Sequence, residues 1–166
     1  MKTTLSIFTN AELGNYTPWG RLSAQERHRE IIRQAQRLHG HAVTLNMKPE
    51  FTDYLRAQEK PMRTIGKRMN AELNRLDLRH MPILLVLEAT RPDGRLHLGG
   101  GTPRLRIQEA MRRAVGRIPG RSGSRQFQAK LLYAADGWNN YIQKDRNWTR
   151  KLLDLADEDK NWWVSH

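Results

Sequence analysis

The stretch MPILLVLEATRPDGRLHLGGG, residues 81–101, contains the most apolar segment of the chain and determines the predicted fold. Its first part, 82–89, is short, starts with proline and is almost entirely apolar, which indicates a buried strand. The turn sequence TRPDGR follows, and its proline and Asp-Gly pair favour chain reversal. RLHLG predicts a second strand, so residues 82–101 are expected to form a β-hairpin.

The segment before the hairpin predicts two helices and one strand. Ser23 and Glu26 have the spacing of a capping box, which marks a helix start, and Gly40 marks its end. The other elements predicted here are a strand at 41–47, a loop with a helical turn at 49–61 and a helix at 62–78. Residues 1–22 have weak periodicity and predict loop with a short strand at 4–8.

The segment after the hairpin predicts a further strand between helices. Thr102 as cap and Pro103 at the first helical position indicate a helix over 103–118. A strand at 127–135, a short helix or turn from Trp138, and a helix at 147–158 complete the pattern. Strands that alternate with one-sided helices, together with a hairpin, predict an α+β domain: an antiparallel sheet with helices packed on one face. Residues 1–40 are expected to pack on a core formed by residues 41–166.

The composition indicates an anionic partner. The formal net charge is +12, and nucleic acid is the commonest partner of so basic a protein. A basic surface without a specific partner is the alternative. The chain has no cysteine, which excludes disulfides and thiolate metal sites. No apolar run is long enough to span a bilayer and no secretory signal is visible, so we expect a cytoplasmic protein without a membrane partner.

Three segments resemble motifs of the HUH endonucleases, which include rolling-circle replication initiators of plasmids and phages. An apolar strand that ends in Glu88, followed by a turn and GRLHLGG, resembles their histidine–hydrophobe–histidine strand. HAVTLNM, residues 41–47, resembles their first-strand motif. NNYIQKD, with Tyr141 and Lys144, resembles their catalytic tyrosine motif. The order of the motifs also matches, over roughly residues 41–146.

This resemblance implies a ferredoxin/RRM-like catalytic domain that acts on single-stranded DNA. It implies that Glu88 and His97 bind a divalent ion, Mg²⁺ or Mn²⁺, which polarises the scissile phosphate. Tyr141 would attack that phosphate to form a 5′-phosphotyrosine, and Lys144 would stabilise the developing charge. On the residues alone, His97 could equally be a hydrogen-bonded strand histidine, Glu88 a solvated strand end and Tyr141 a core tyrosine.

Position 99 departs from the family pattern, because a glycine stands where the second histidine is expected. Loss of one of about three ligands weakens a metal site severely. The favoured hypothesis is therefore a DNA-binding relative with a degenerate nicking site, acting on single-stranded or origin DNA. An active nickase is the alternative, and an RNA-binding regulator is the third hypothesis. Gly99, Gly100 and Gly101 are expected to leave backbone open to a phosphate.

Basic side chains on two predicted helices and the following loop are expected to contact phosphates, because arginine binds phosphate in a bidentate manner. They are Arg63, Lys67, Arg68, Arg75, Arg104, Arg106, Arg112, Arg113, Arg117, Arg121 and Arg125. Trp138 is expected to stack on a base of a single strand, although core packing would also explain it.

Overall fold

The computed structural model describes residues 19–79, 81–157 and 159–165. Its fold is α+β and contains a five-stranded sheet in which every neighbouring pair of strands is antiparallel. The strands are β1 (His41–Asn46), β2 (Leu84–Ala89), β3 (Leu96–Thr102), β4 (Phe127–Leu131) and β5 (Trp162–Val164). Their order across the sheet is β4-β1-β3-β2-β5. The α+β class and the antiparallel sheet are as predicted. Among the described residues, no helix has the length and apolarity that crossing a membrane requires.

The predicted hairpin is present and forms the middle of the sheet. β2 and β3 pair antiparallel, with Leu87 opposite Leu98 and Glu88 opposite His97. β3 does not end at the glycines: it continues through them to Thr102 and pairs with β1 along its other edge. The strand can continue because neighbouring side chains fill the space that the glycine residues leave. The expectation of a strand that ends in open backbone is therefore wrong.

Seven helices surround the sheet in the described part of the chain. They are α1 (Ala24–Arg37), α2 (Pro49–Arg56), α3 (Pro61–Arg75), α4 (Gln108–Ala114), α5 (Gly120–Gly123), α6 (Ala135–Ile142) and α7 (Arg146–Leu152). The capping box at the start of α1 is confirmed: the Ser23 amide donates to Glu26 Oε2 at 2.7 Å, and the Glu26 amide donates to Ser23 Oγ at 3.3 Å.

Several predicted boundaries are corrected. α2 is a complete helix where a loop with a helical turn was predicted, because Phe51 and Leu55 bury one face of it. The helix predicted at 103–118 begins only at Gln108, after the extended β3 and a 3₁₀ turn. The strand predicted at 127–135 ends at Leu131, and the final helix ends at Leu152. β5 was not predicted, and the strand proposed at 4–8 lies outside the described residues.

The helices cover both faces of the sheet, which corrects the expectation that they pack on one face. On the first face, Leu85, Leu87 and Leu98 share a core with apolar residues of α2, α3 and α4. On the second face, Leu84 and Val86 share a core with apolar residues of α1 and α6. All six residues of β2 are buried, and a strand that is apolar on both sides requires a layer on each.

Candidate nucleic-acid interface

Glu88 and His97 form a cross-strand pair on the second face of the sheet. The register of the hairpin places them directly opposite each other, and His97 Nε2 lies 3.3 Å from Glu88 Oε2. The Glu88 side chain is 6 % exposed and the His97 side chain is 18 % exposed. The structure thus brings together the two residues that the motif resemblance assigned to a metal.

Ile142 occupies the space next to this pair. Gly99 follows His97 by two residues and therefore faces the same side of the sheet. A Cβ atom at Gly99 would lie 2.7 Å from Glu88 Oε2 and 2.8 Å from Ile142 Cγ2, and Ile142 is fully buried. A third ligand from this position has no room.

The residues present do not complete the three-ligand divalent-ion site that the motif resemblance implies. Glu88 and His97 supply two ligands, and an apolar methyl group stands at the third position. Among the residues that the structure describes, no group of three His, Cys, Asp or Glu side chains could hold a metal ion. The three-ligand site that the motif resemblance implies is therefore incomplete at position 99.

The three glycines are not accessible to a phosphate, which corrects the prediction for Gly99–Gly101. All three are buried in the central strand, which is paired on both edges. A Cβ at Gly100 would lie 2.0 Å from the Leu84 carbonyl oxygen, and one at Gly101 would lie 2.5 Å from Ile32 Cδ1. Glycine is required here for close packing of the sheet and α1.

The predicted tyrosine motif lies on α6, which presents opposite sides to core and solvent. Ala135, Asn139 and Ile142 are buried against the sheet, whereas Tyr141 is 54 % exposed. Trp138 stacks on Tyr141 with 5.4 Å between ring centroids and 17° between planes. Lys144 Nζ lies 3.3 Å from the centroid of the Tyr141 ring. Lys144 thus lies close to the tyrosine, as the motif resemblance predicted, and Trp138 contacts the tyrosine as well.

Hydrogen bonding fixes the position of Trp138. Its indole Nε1 donates to the Gly100 carbonyl oxygen at 2.7 Å, which ties α6 to the central strand. A ring that is already held in place loses little conformational entropy when it contacts a ligand. The sequence left open whether Trp138 packs in the core or stacks on a base. Its side chain is partly buried and also borders a groove, so its position allows both.

A groove of about 470 Å³ lies between α6 and the edge of the sheet; we call it the α6 groove. Its lining includes Thr44, Gln128, Lys130, Tyr133, Trp138 and Tyr141. The lining thus combines three aromatic rings with a lysine and uncharged polar side chains. Neither Glu88 nor His97 lines this groove, which extends over β1 and β4 and not over the hairpin.

Sequence reasoning missed Tyr133 and Lys130, although both border the groove. Tyr133 is 82 % exposed, the highest value among the large apolar side chains of the described residues. It was predicted inside a strand that ran to residue 135, but β4 ends at Leu131. The sequence did contain one indication of an exposed ring, because Tyr133 follows the short polar strand FQAKL.

The predicted basic residues divide into two groups. Five are held by other parts of the protein. Arg68 and Arg112 donate to backbone carbonyls, Arg75 and Arg113 contact Glu72, and Arg117 contacts Glu109. The other six have no acidic partner within the described residues: Arg63, Lys67, Arg104, Arg106, Arg121 and Arg125. Arg63 and Lys67 belong to α3, on the opposite face of the sheet from α6, so the basic residues do not form one surface.

A buried polar cluster beneath α6 was not predicted. His28 of α1 is fully buried, its ring lies 4.4 Å from that of Trp162, and its Nδ1 lies 2.8 Å from Gln143 Nε2. Burial is the main cause that lowers the pKa of His28 from 6.5 to about 4. The imidazole is therefore neutral at physiological pH and serves to hold α1 against the end of α6.

No protein-family model, no curated protein and no solved structure matches this chain. The resemblance to the HUH endonucleases thus rests on the motif residues alone. Two of its expectations concern placement, namely that Glu88 lies beside His97 and that Lys144 lies beside Tyr141, and both pairs are close together in space. The activity that the resemblance implies requires separate tests.

Proposed function

We propose that the protein binds single-stranded DNA in the α6 groove and does not cleave it. The observation that carries this proposal is the combination of Tyr133, Trp138 and Tyr141 with Lys130 in one open groove of a strongly basic chain. Proteins that bind single strands combine aromatic platforms for the bases with positive charge for the backbone. A duplex offers no unstacked bases to such a surface.

Tyr133 is the side chain best placed to stack on a base. Trp138 stacks on the Tyr141 ring and Lys144 Nζ also lies over it, so less of the Tyr141 ring than of the Tyr133 ring is free to stack on a base. Tyr133 is largely exposed beside them. Lys130 and Lys144 are exposed and can neutralise phosphates on either side of the stacked base. Stacking of this kind contributes about 1–3 kcal/mol per base.

The packing around Glu88 and His97 supports binding without chemistry. Ile142 fills the position from which a second histidine would complete a metal site. An active nickase is the second candidate, because Glu88 and His97 do lie together on the face that α6 covers. The choice of DNA over RNA follows the motif resemblance, since stacking and phosphate contacts alone fit both.

Fluorescence anisotropy with short labelled oligonucleotides tests the binding proposal. Tyr133→Ala should weaken binding of single-stranded DNA about 5- to 150-fold, the equivalent of one lost stacking contact. Tyr54→Ala is the matched control, because Tyr54 is 47 % exposed on α2 at the opposite face. We expect the control to bind like the wild-type protein. Equal effects of the two substitutions would contradict the proposed groove, and a preference for RNA of the same sequence would contradict the choice of DNA.

A covalent-adduct assay separates binding from nicking. The protein is incubated with labelled single-stranded DNA and Mg²⁺ or Mn²⁺ and run on a denaturing gel beside Tyr141→Phe. We expect no adduct from either protein. A metal-dependent adduct that is absent from Tyr141→Phe would establish the nickase instead.

A further inference from the structure

We propose that the bound DNA strand continues from the α6 groove across the C-terminal end of α1 into a second groove, where Arg79, Arg104 and Arg106 bind its phosphates. This inference rests on the proposed function, because the strand must first occupy the α6 groove. The second groove, which we call the α1 groove, has a volume of about 760 Å³. It extends along α1, the loop before β2 and the segment after β3.

The lining of the α1 groove suits bases and phosphates together. Ile31, Leu78 and Pro103 contribute apolar surface, and Trp19, 40 % exposed, offers an indole ring for stacking. Arg79, Arg104 and Arg106 are all exposed and have no acidic partner within the described residues. The lining contains three arginine side chains and one acidic side chain, Asp77, so its net charge is positive.

Gly40, which joins α1 to β1 and is buried, lies between a wall residue of each groove. Leu132 lines the α6 groove and donates its amide to the Gly40 carbonyl oxygen at 2.9 Å. Pro103 lines the α1 groove, and its Cα would lie 2.7 Å from a Cβ added at Gly40. One residue therefore contacts a wall of each groove. The exposed residues Leu38 and His39, which precede Gly40, supply the surface along which a strand would pass from one groove to the other.

The end of α1 borders the α1 groove and also contacts the chain segment that carries Tyr133. The Gln36 side chain donates to the Tyr133 carbonyl oxygen and accepts from the Ala135 amide, each at 3.1 Å, so it fixes the segment that carries the exposed tyrosine. Leu38, two residues later and 47 % exposed, lines the α1 groove. Continuity with the first groove and the same sign of charge favour a continuing polyanion over a neutral peptide as the occupant.

Binding of single-stranded DNA of graded length tests this path. Oligothymidylates of about 4 and about 12 nucleotides, which span the range of site sizes for single-strand binders, are titrated at several salt concentrations. Arg104→Gln/Arg106→Gln removes two charges of the α1 groove. Arg63→Gln/Lys67→Gln is the matched control, because it removes two exposed charges of α3 on the opposite face of the sheet.

We expect the longer oligonucleotide to bind at least about tenfold more tightly to the wild-type protein. In Arg104→Gln/Arg106→Gln most of this gain should disappear, and the slope of log affinity against log salt should become shallower by about 1.4, or 0.7 for each lost phosphate contact. Binding of the short oligonucleotide should stay within about twofold, and the control pair should retain the length dependence.

The failure of this inference can be distinguished from failure of the proposed function. One outcome would refute the α1 groove as a binding site but support the α6 groove. In it, Tyr133→Ala loses binding of the short oligonucleotide, and the wild-type protein binds the long oligonucleotide no more tightly than the short one. Equal effects of the two charge-removing pairs would also refute the α1 groove. Failure of the wild-type protein to bind either oligonucleotide would overturn both. Urea unfolding of the variants checks the fold, and we expect no change because Arg104 and Arg106 are exposed.

Discussion

Substitution of Gly99 by alanine tests whether packing, and not open backbone, explains the glycine next to His97. The added Cβ would lie 2.8 Å from Ile142 Cγ2, a distance that real Cβ atoms do not tolerate. Glu88 Oε2, at 2.7 Å, ends a flexible side chain and can move, but Cγ2 is attached directly to the branched Cβ of a fully buried residue. Overpacking of this kind costs about 1–3 kcal/mol. Alanine offsets about 0.5–1 kcal/mol of this, because glycine loses more conformational freedom on folding.

Equilibrium unfolding in urea measures this cost. We expect Gly99→Ala to lower the free energy of unfolding by about 0.5–2 kcal/mol, the difference between those two contributions. Ile142→Ala alone should cost about 2–5 kcal/mol, as for other buried aliphatic residues. The double variant should be more stable than the sum of the single effects predicts, because the clash is relieved. Gly137→Ala on α6 is the control: its nearest contact is 3.9 Å away, so alanine should stabilise the helix. Wild-type stability for Gly99→Ala, or strict additivity with Ile142→Ala, would refute the packing explanation.

Three further predictions concern the support of this site. The pKa of His28 is lowered from 6.5 to about 4 in the folded protein. Between these two pH values the unfolded chain binds a proton at this histidine more readily than the folded protein does. The free energy of unfolding therefore falls as the pH drops from neutral to about 4. His28→Gln should remove about 3 kcal/mol of that pH dependence, measured by urea unfolding at several pH values, whereas His39→Gln at an exposed position should not change it. Ser23→Ala removes the side-chain acceptor of the α1 capping box and should lower the free energy of unfolding in urea by about 1 kcal/mol. An unchanged free energy of unfolding would show that the cap does not stabilise the protein. Trp138→Phe removes the indole donor to the central strand and should cost about 1–3 kcal/mol, and an unchanged midpoint in urea would show that the carbonyl finds another donor.

Local patterns in the sequence predicted the parts of the fold that depend on neighbouring residues. The capping box of Ser23 and Glu26 and the hairpin turn between β2 and β3 both involve residues within a few positions of each other. β5 was missed because its partner is distant: Trp162 pairs with Val86. A three-residue strand in an aromatic tail carries almost no periodic signal.

The glycine run shows why burial is harder to predict than secondary structure. Glycines usually weaken a strand, and the sequence therefore indicated an end at Gly99. In the structure, Ile32 and Ile142 approach the strand so closely that a side chain would not fit. Those two residues are about 70 and 40 positions away from the glycines. Only the tertiary structure shows that Ile32 and Ile142 fill the space beside the glycines.

The candidate site was predictable in pairs but not as a whole. The motif resemblance paired Glu88 with His97 and Tyr141 with Lys144, and both pairs are close together in the structure. The sequence could not show that Tyr133 would be the most exposed ring of the groove, because this depends on where β4 ends. It also could not show which arginine side chains are already engaged, as Arg68 and Arg112 are.

Tyr141 and Ile142 are adjacent in sequence but point in opposite directions from α6. The tyrosine borders an open groove, while the isoleucine closes the space over Gly99. A second histidine at position 99 would therefore meet Ile142 before it could reach a metal ion. Moving Ile142 aside means moving α6, and with it Trp138, which is hydrogen-bonded to the central strand. The aromatic groove thus depends on the same packing that leaves the Glu88–His97 pair without a third ligand.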